Sequence, residues 1–110
     1  MEALFYGRPH ERISNIFQTL LYAMMLQRTR SRDAMPSLYY ASKMVLKGYS
    51  PQLINRASGE IIESYGDVAE EFEAFLREAL VELFDQKTPF RQADDEDACT
   101  YCDFKSICRR

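Results

Sequence analysis

The sequence predicts an α/β domain that is mainly helical, with one or two short strands. Three observations lead there. Apolar residues recur at helical spacing over 9–29 and again over 67–87. The intervening 36–64 region is rich in aromatic residues and broken by Gly, Pro and Asn, which reads as strands and loop. A closing segment at 98–110 holds all three cysteines of the chain. At 110 residues the chain fits one domain over 1–110, partial in architecture because one or two strands cannot close a sheet unaided.

The first helix has its natural start at Pro9, which has no amide to leave unsatisfied in a first turn. Ile13, Ile16, Phe17, Leu20, Leu21, Met24 and Met25 then fall on one broad apolar face. The polar, basic stretch from Arg28 to Asp33 ends it. Beyond Pro36, residues 37–42 read as a short buried strand, and Gly48, Pro51, Asn55 and Gly59 mark an irregular connection. A second short strand is expected over 60–64. Asp67 is placed to cap the second helix, with Glu70 reaching back. Phe72, Phe75, Leu76, Ala79, Leu80 and Leu83 form its apolar stripe, Glu71, Glu73, Glu78, Glu82 and Asp85 its outer side, and Pro89 its stop. Residues 90–92 are expected to be briefly extended.

Composition narrows the class. Hydrophobic residues make up 46% and charged residues 28%, and no apolar run approaches the roughly 20 residues of a membrane span. The amino terminus has no secretory pattern. A cytoplasmic, reducing setting is therefore expected, in which three clustered cysteines favour a metal, cluster or redox role over a disulfide framework. Charge is divided: residues 1–58 carry eight Lys or Arg against three acids, and residues 59–110 carry six against fourteen. A polyanion is attracted to the first half.

Two constellations can carry chemistry. Asn15, Gln18 and Tyr22 lie on one polar strip of the first helix. Gln18 offers a donor and an acceptor and Tyr22 a hydroxyl on a flat ring, a pair able to touch a phosphate and lie beside a base or sugar; the plain alternative leaves Gln18 in solvent and Tyr22 in the core. Cys99, Cys102 and Cys108 follow a C-x2-C-x5-C spacing suited to a metal or an iron–sulfur cluster, but supply three thiolates where four are usual. His10, the only histidine, or an acid can complete a zinc site; otherwise the cysteines are free thiols. The acidic run at 94–97 reads as a solvated loop, since it lacks the alternation and glycine turn of a calcium loop.

In combination, the Gln18-x-x-x-Tyr22 helix and the terminal cysteine segment resemble the carboxy-terminal part of RecB-like nucleases of the PD-(D/E)XK superfamily, particularly AddB-type exonucleases of helicase–nuclease systems. The resemblance implies a restriction-endonuclease-like fold and a DNA-repair hydrolase that uses Mg or Mn. It places Gln18 and Tyr22 along the DNA path and makes Cys99, Cys102 and Cys108 iron–sulfur ligands, with a fourth thiol upstream. Zinc remains the alternative metal. The family's catalytic acid and Asp/Glu-x-Lys element precede its Gln-x-x-x-Tyr helix, and no such element precedes Gln18 here. Asp85-Gln-Lys87 and Asp103-Phe-Lys105 have the right letters but come after it.

Residues 1–110 are accordingly expected to be a nuclease fragment with no catalytic residue of its own. Whether this chain is itself an enzyme stays open. The parent is implied to be a deoxyribonuclease and the fragment to be inactive. Its partners would be DNA, the upstream part of the same polypeptide and a helicase–nuclease subunit, with no membrane. The rivals are a non-catalytic zinc-binding interaction module and a helical oligomerisation domain built on the Phe72 to Leu83 stripe, which would self-associate.

Overall fold

A computed structural model describes residues 1–7, 14–89, 91–92 and 96–108. The proposed helix start at Pro9, the ligand role of His10, the extended piece at Phe90 and the beginning of the acidic run at Asp94 lie outside those residues. The described elements are α1 (Glu2–Tyr6), α2 (Ser14–Arg30), α3 (Gly66–Phe84), a 3-10 turn (Glu96–Cys99) and α4 (Lys105–Cys108). Among the described residues no helix is long and apolar enough to cross a membrane.

The chain divides into two compact units, Ile13–Ala74 and the pair of segments Met1–Arg12 and Phe75–Arg110. The first contains α2, the irregular connection and the opening turns of α3. Its core consists of Leu20 and Ala23 from α2, Leu53 and Ile62 from the connection, and Tyr65, Val68 and Phe72 at and after the start of α3. Phe72 is its centre. Its ring lies 5.8 Å from that of Phe17 and meets Tyr65 edge-on at 6.3 Å, the arrangement that a ring's negative face and positive edge favour.

Local chemistry sets the helix ends. α2 stops where Ser31 takes φ 50°, a left-handed conformation that cannot continue a right-handed helix. The start of α3 corrects the expected cap. Ser64, not Asp67, is the capping residue: its hydroxyl accepts the Gly66 N–H at 2.9 Å, while the Asp67 carboxylate reaches back to the Ser64 N–H at 3.0 Å. The reciprocal box therefore closes three residues earlier than Asp67–Glu70 would. α3 also ends before Pro89. Asp85 accepts the Lys87 N–H at 3.0 Å and the Thr88 hydroxyl at 2.6 Å, so its side chain gathers the chain into a turn directly after Phe84.

The one or two strands expected over 36–64 are reduced to isolated antiparallel bridges, Ser37 with Gln52 and Ile54 with Ile61. A side chain takes the place of a ladder partner. The Tyr49 hydroxyl donates to the Leu38 carbonyl at 2.6 Å and accepts the Tyr40 N–H at 2.8 Å, occupying groups that a neighbouring strand would need. Pro51 accepts from Leu38 but has no N–H to return. Between Leu53 and Ile62 the chain doubles back, with Gly59 at φ 75° and three backbone cross-links, Gly59 N–H to Asn55, Asn55 N–H to Glu60 and Ile62 N–H to Leu53. That doubling turns Leu53 and Ile62 into the core while Ile54 and Ile61 stay outside.

Asp33 ties the end of the basic stretch to the start of α3 through the Ser64 hydroxyl and the Gly66 N–H, and it also accepts from Ala34. The Ser64 hydroxyl foremost, helped by these backbone amides and opposed by burial, holds the Asp33 carboxyl below its usual 3.8.

The second unit is built on aromatic contact. Phe75 stacks on Phe5 at 5.8 Å and meets Tyr6 edge-on at 6.2 Å. Burial, then the charges of Glu78 and Glu82, push the Tyr6 hydroxyl above its usual 10.

Phe72→Ala is expected to lower stability by about 3–5 kcal/mol, the usual cost of emptying a buried aromatic site, measured as a shift of the urea midpoint. The depressed Asp33 carboxyl gives an acid limb of known sign: between the folded and unfolded values the unfolded chain binds more protons, so stability rises with pH. It is complete above the ordinary value and lost as pH falls through the folded one. Melting temperatures followed from about pH 5 down to about pH 3 should decline, and less steeply for Asp33→Asn. Asp85, held low chiefly by Thr88, leaves a residual slope in that variant.

Candidate functional site

α2 presents opposite faces to core and solvent. Leu20 and Ala23 turn inward, which leaves Asn15, Gln18 and Tyr22 together on the exposed side. Tyr22 is 59% exposed and so does not pack in the core. One turn apart, Gln18 Nε2 donates to the Tyr22 hydroxyl at 2.7 Å. The bond aligns the amide with the ring edge and leaves the Gln18 carbonyl oxygen and the Tyr22 O–H for an outside partner, one acceptor and one donor. Both predicted residues of this pair are therefore brought together, on a helix whose last turn adds Arg28 and Arg30.

Arg28 does a different job from its basic neighbours. Its guanidinium pairs with Glu73, and the Tyr65 hydroxyl donates to the other Glu73 oxygen at 3.2 Å. Glu73, expected on the outer side of α3, is half-buried at this junction. The hydrogen bond to Glu73, followed by its charge, raises the Arg28 guanidinium above its ordinary range, so it stays charged. Burial, then the charge of Glu73, raises the Tyr65 hydroxyl well above its usual 10, so it remains a proton donor. The sequence carries a faint signal for the cluster, an acid one position past the most buried stripe residue of α3.

Neither Asp-x-Lys triplet has the setting of a catalytic element. Asp85 spends both carboxylate oxygens on the turn that ends α3, and Lys87 engages it through its backbone N–H. Asp103 lies in the turn before α4, while Lys105 opens that helix with its N–H on the Cys102 carbonyl at 3.2 Å. Neither triplet stands on a strand, which would hold acid and lysine on the same face with alternating geometry.

Cys99, Cys102 and Cys108 are free and half-buried, carried on successive turns. The Cys102 N–H reaches the Cys99 carbonyl at 3.3 Å, the Cys108 N–H reaches Phe104, and Gln92 Nε2 bonds the Cys108 carbonyl at 3.0 Å. Thiolates suit zinc or an iron–sulfur cluster in kind, and three thiols are one short of the usual four. Among the described residues, no three His, Cys, Asp or Glu side chains stand together as a metal-holding group.

The family model for the PD-(D/E)XK nuclease superfamily matches residues 6–109. No curated protein and no solved structure matches the chain.

The Gln18–Tyr22 bond is an exposed i, i+4 contact, worth about 0.2–0.5 kcal/mol to the helix. Gln18→Ala and Tyr22→Phe should therefore melt within a degree or two of the parent chain. A large loss in either would assign the pair a structural role instead of a binding one.

Proposed function

Since the chain belongs to the PD-(D/E)XK nuclease superfamily over residues 6–109, we propose that it forms the carboxy-terminal part of a metal-dependent DNA exonuclease of the RecB/AddB kind, acting in a helicase–nuclease system. The observation that carries this reading is the exposed, mutually hydrogen-bonded Gln18–Tyr22 pair on α2, followed after α3 by the Cys99-x2-Cys102-x5-Cys108 segment. Gln18 and Tyr22 contact the DNA path beside the reacting phosphodiester. The pair is preorganised by its own bond, so little side-chain freedom is lost on contact. Arg30 in the last turn of α2 adds attraction to phosphate.

The catalytic carboxylates and lysine are contributed from outside residues 1–110. The engagement of both Asp85 oxygens in a turn and the turn position of Asp103 support this reading. Mg or Mn held by those carboxylates would supply Lewis-acid stabilisation of the phosphodiester under attack. Cys99, Cys102 and Cys108 serve as three ligands of a structural iron–sulfur cluster whose fourth thiolate comes from elsewhere in the same protein. The exposed Leu80, Val81, Leu83 and Phe84 of α3 favour a secondary reading in which residues 1–110 alone self-associate through that helix.

In the longer reading frame, Mg-dependent degradation of linear DNA is expected, abolished by chelation. Tyr22→Ala should lower kcat/KM about 10- to 100-fold, the scale of a misplaced substrate. Residues 1–110 alone should not cleave. Cleavage by this segment alone, or none by the longer protein, would overturn the reading. Anaerobically purified long protein should contain iron, diminished in Cys102→Ser; stoichiometric zinc held by residues 1–110 would favour a zinc module.

A further inference from the structure

Residues 40–49 form a loop that none of the preceding roles uses. It is built as a fixed projection. Lys43 and Met44 return their N–H groups to the Tyr40 carbonyl at 2.8 and 3.0 Å, Leu46 bonds Lys43, and Tyr49 bonds Leu46 at 3.2 Å. Gly48 at φ 84° lets the chain reverse, and the Tyr49 hydroxyl pins the base of the loop to Leu38 and Tyr40. The residues so displayed are unusual for an exposed turn. Val45 is 89% exposed, with Met44 and Leu46 more than half exposed beside it. Lys43 and Lys47 flank this apolar tip, and Tyr39 stands 70% exposed at its foot. Lys43 Nζ lies 5.2 Å from the Tyr40 ring centroid, a cation–π contact that keeps the ammonium at the loop. From 34 to 59 the chain carries Lys43, Lys47 and Arg56 and no acid at all.

Three apolar side chains held up between two lysines match a DNA duplex at the point where its strands part. Phosphates flank that point on both sides, while unstacked base faces lie between them. Apolar wedges inserted at a base step, lysines on phosphate and an aromatic ring under a released base are each favourable there. We propose that the 40–49 loop is a strand-separating contact, with Met44, Val45 and Leu46 entering the junction, Lys43 and Lys47 on the flanking phosphates, and Tyr39 stacking on a freed base. The occupant is a forked or frayed DNA end. The inference rests on the DNA-processing reading above and deepens it, by giving the chain a preference for a kind of DNA end.

The test uses residues 1–110 with two fluorescein-labelled probes of equal length, a blunt duplex and the same duplex ending in two unpaired arms. Expected is about tenfold tighter binding to the fork. Val45→Ser/Leu46→Ser should remove that preference while leaving blunt-duplex affinity within about twofold. Lys43→Ala/Lys47→Ala should weaken both complexes and reduce the slope of log K against log salt by about 2. All four positions are solvent-exposed, and unchanged circular dichroism confirms the fold of each variant. Equal affinity for the two probes, or a preference that survives in the serine variant, overturns the inference. So does binding to phosphatidylserine vesicles in place of DNA, or a dimer abolished by the serine variant with no fork preference in the parent chain. The nuclease reading fails separately, by absence of cleavage in the longer protein.

Discussion

The unit from Ile13 to Ala74 depends on one junction, where Tyr65 and Phe72 pack at the start of α3 and Glu73 collects the Tyr65 hydroxyl and the Arg28 guanidinium. The four residues act together. Phe72 supplies the apolar burial that holds Phe17 of α2 against α3, and Glu73, one position on, gives the buried Tyr65 hydroxyl the acceptor that burial requires. Arg28 then offsets the charge of a half-buried Glu73. With α2 held in this orientation, Leu20 and Ala23 must face inward, and the polar strip of Asn15, Gln18 and Tyr22 is left outward. The exposure of the candidate site is thus a consequence of the core: a helix rotated differently would bury Tyr22 and hide the pair.

Around this small core, side chains do much of the work that a sheet performs in other folds. Tyr49 closes the 40–49 loop, Asp33 holds the approach to α3, Ser64 and Asp67 cap it, and Asp85 ends it. Each satisfies backbone groups that would otherwise need water or a neighbouring strand. The segment from Pro36 to Ile62 can therefore stay irregular and still deliver Leu53 and Ile62 to the core. Exposed apolar residues at the loop tip and along the end of α3 are surface that this chain does not cover itself.

Part of the helical framework was legible in the sequence, because a 3.6-residue repeat is a local property: Leu20 and Phe72 do turn inward, but Met25, Leu80 and Leu83, expected on the same apolar faces, are exposed. The pairing of Gln18 with Tyr22 was legible for the same reason, since i and i+4 neighbours meet on any helix. Strands were not. Residues 37–42 have strand composition, but strand pairing depends on a partner segment, and here the partner position is taken by the hydroxyl of Tyr49. The two Asp-x-Lys triplets were already set aside by their order in the chain, and the turn geometry adds that Asp85 has both oxygens engaged.

By itself, the sequence determined the two long helices and the order of the Gln-x-x-x-Tyr helix and the cysteine segment. Those features are local spacings, set by backbone periodicity and independent of distant contacts. Only the tertiary structure decided that Tyr22 is exposed, that Glu73 turns toward Arg28 and Tyr65, that Ser64 rather than Asp67 begins α3, and that the loop after Tyr40 is a pinned projection. Each of these pits one hydrogen-bond partner or packing contact against another from a remote stretch of chain. Such a competition is resolved only when the stretches are brought together.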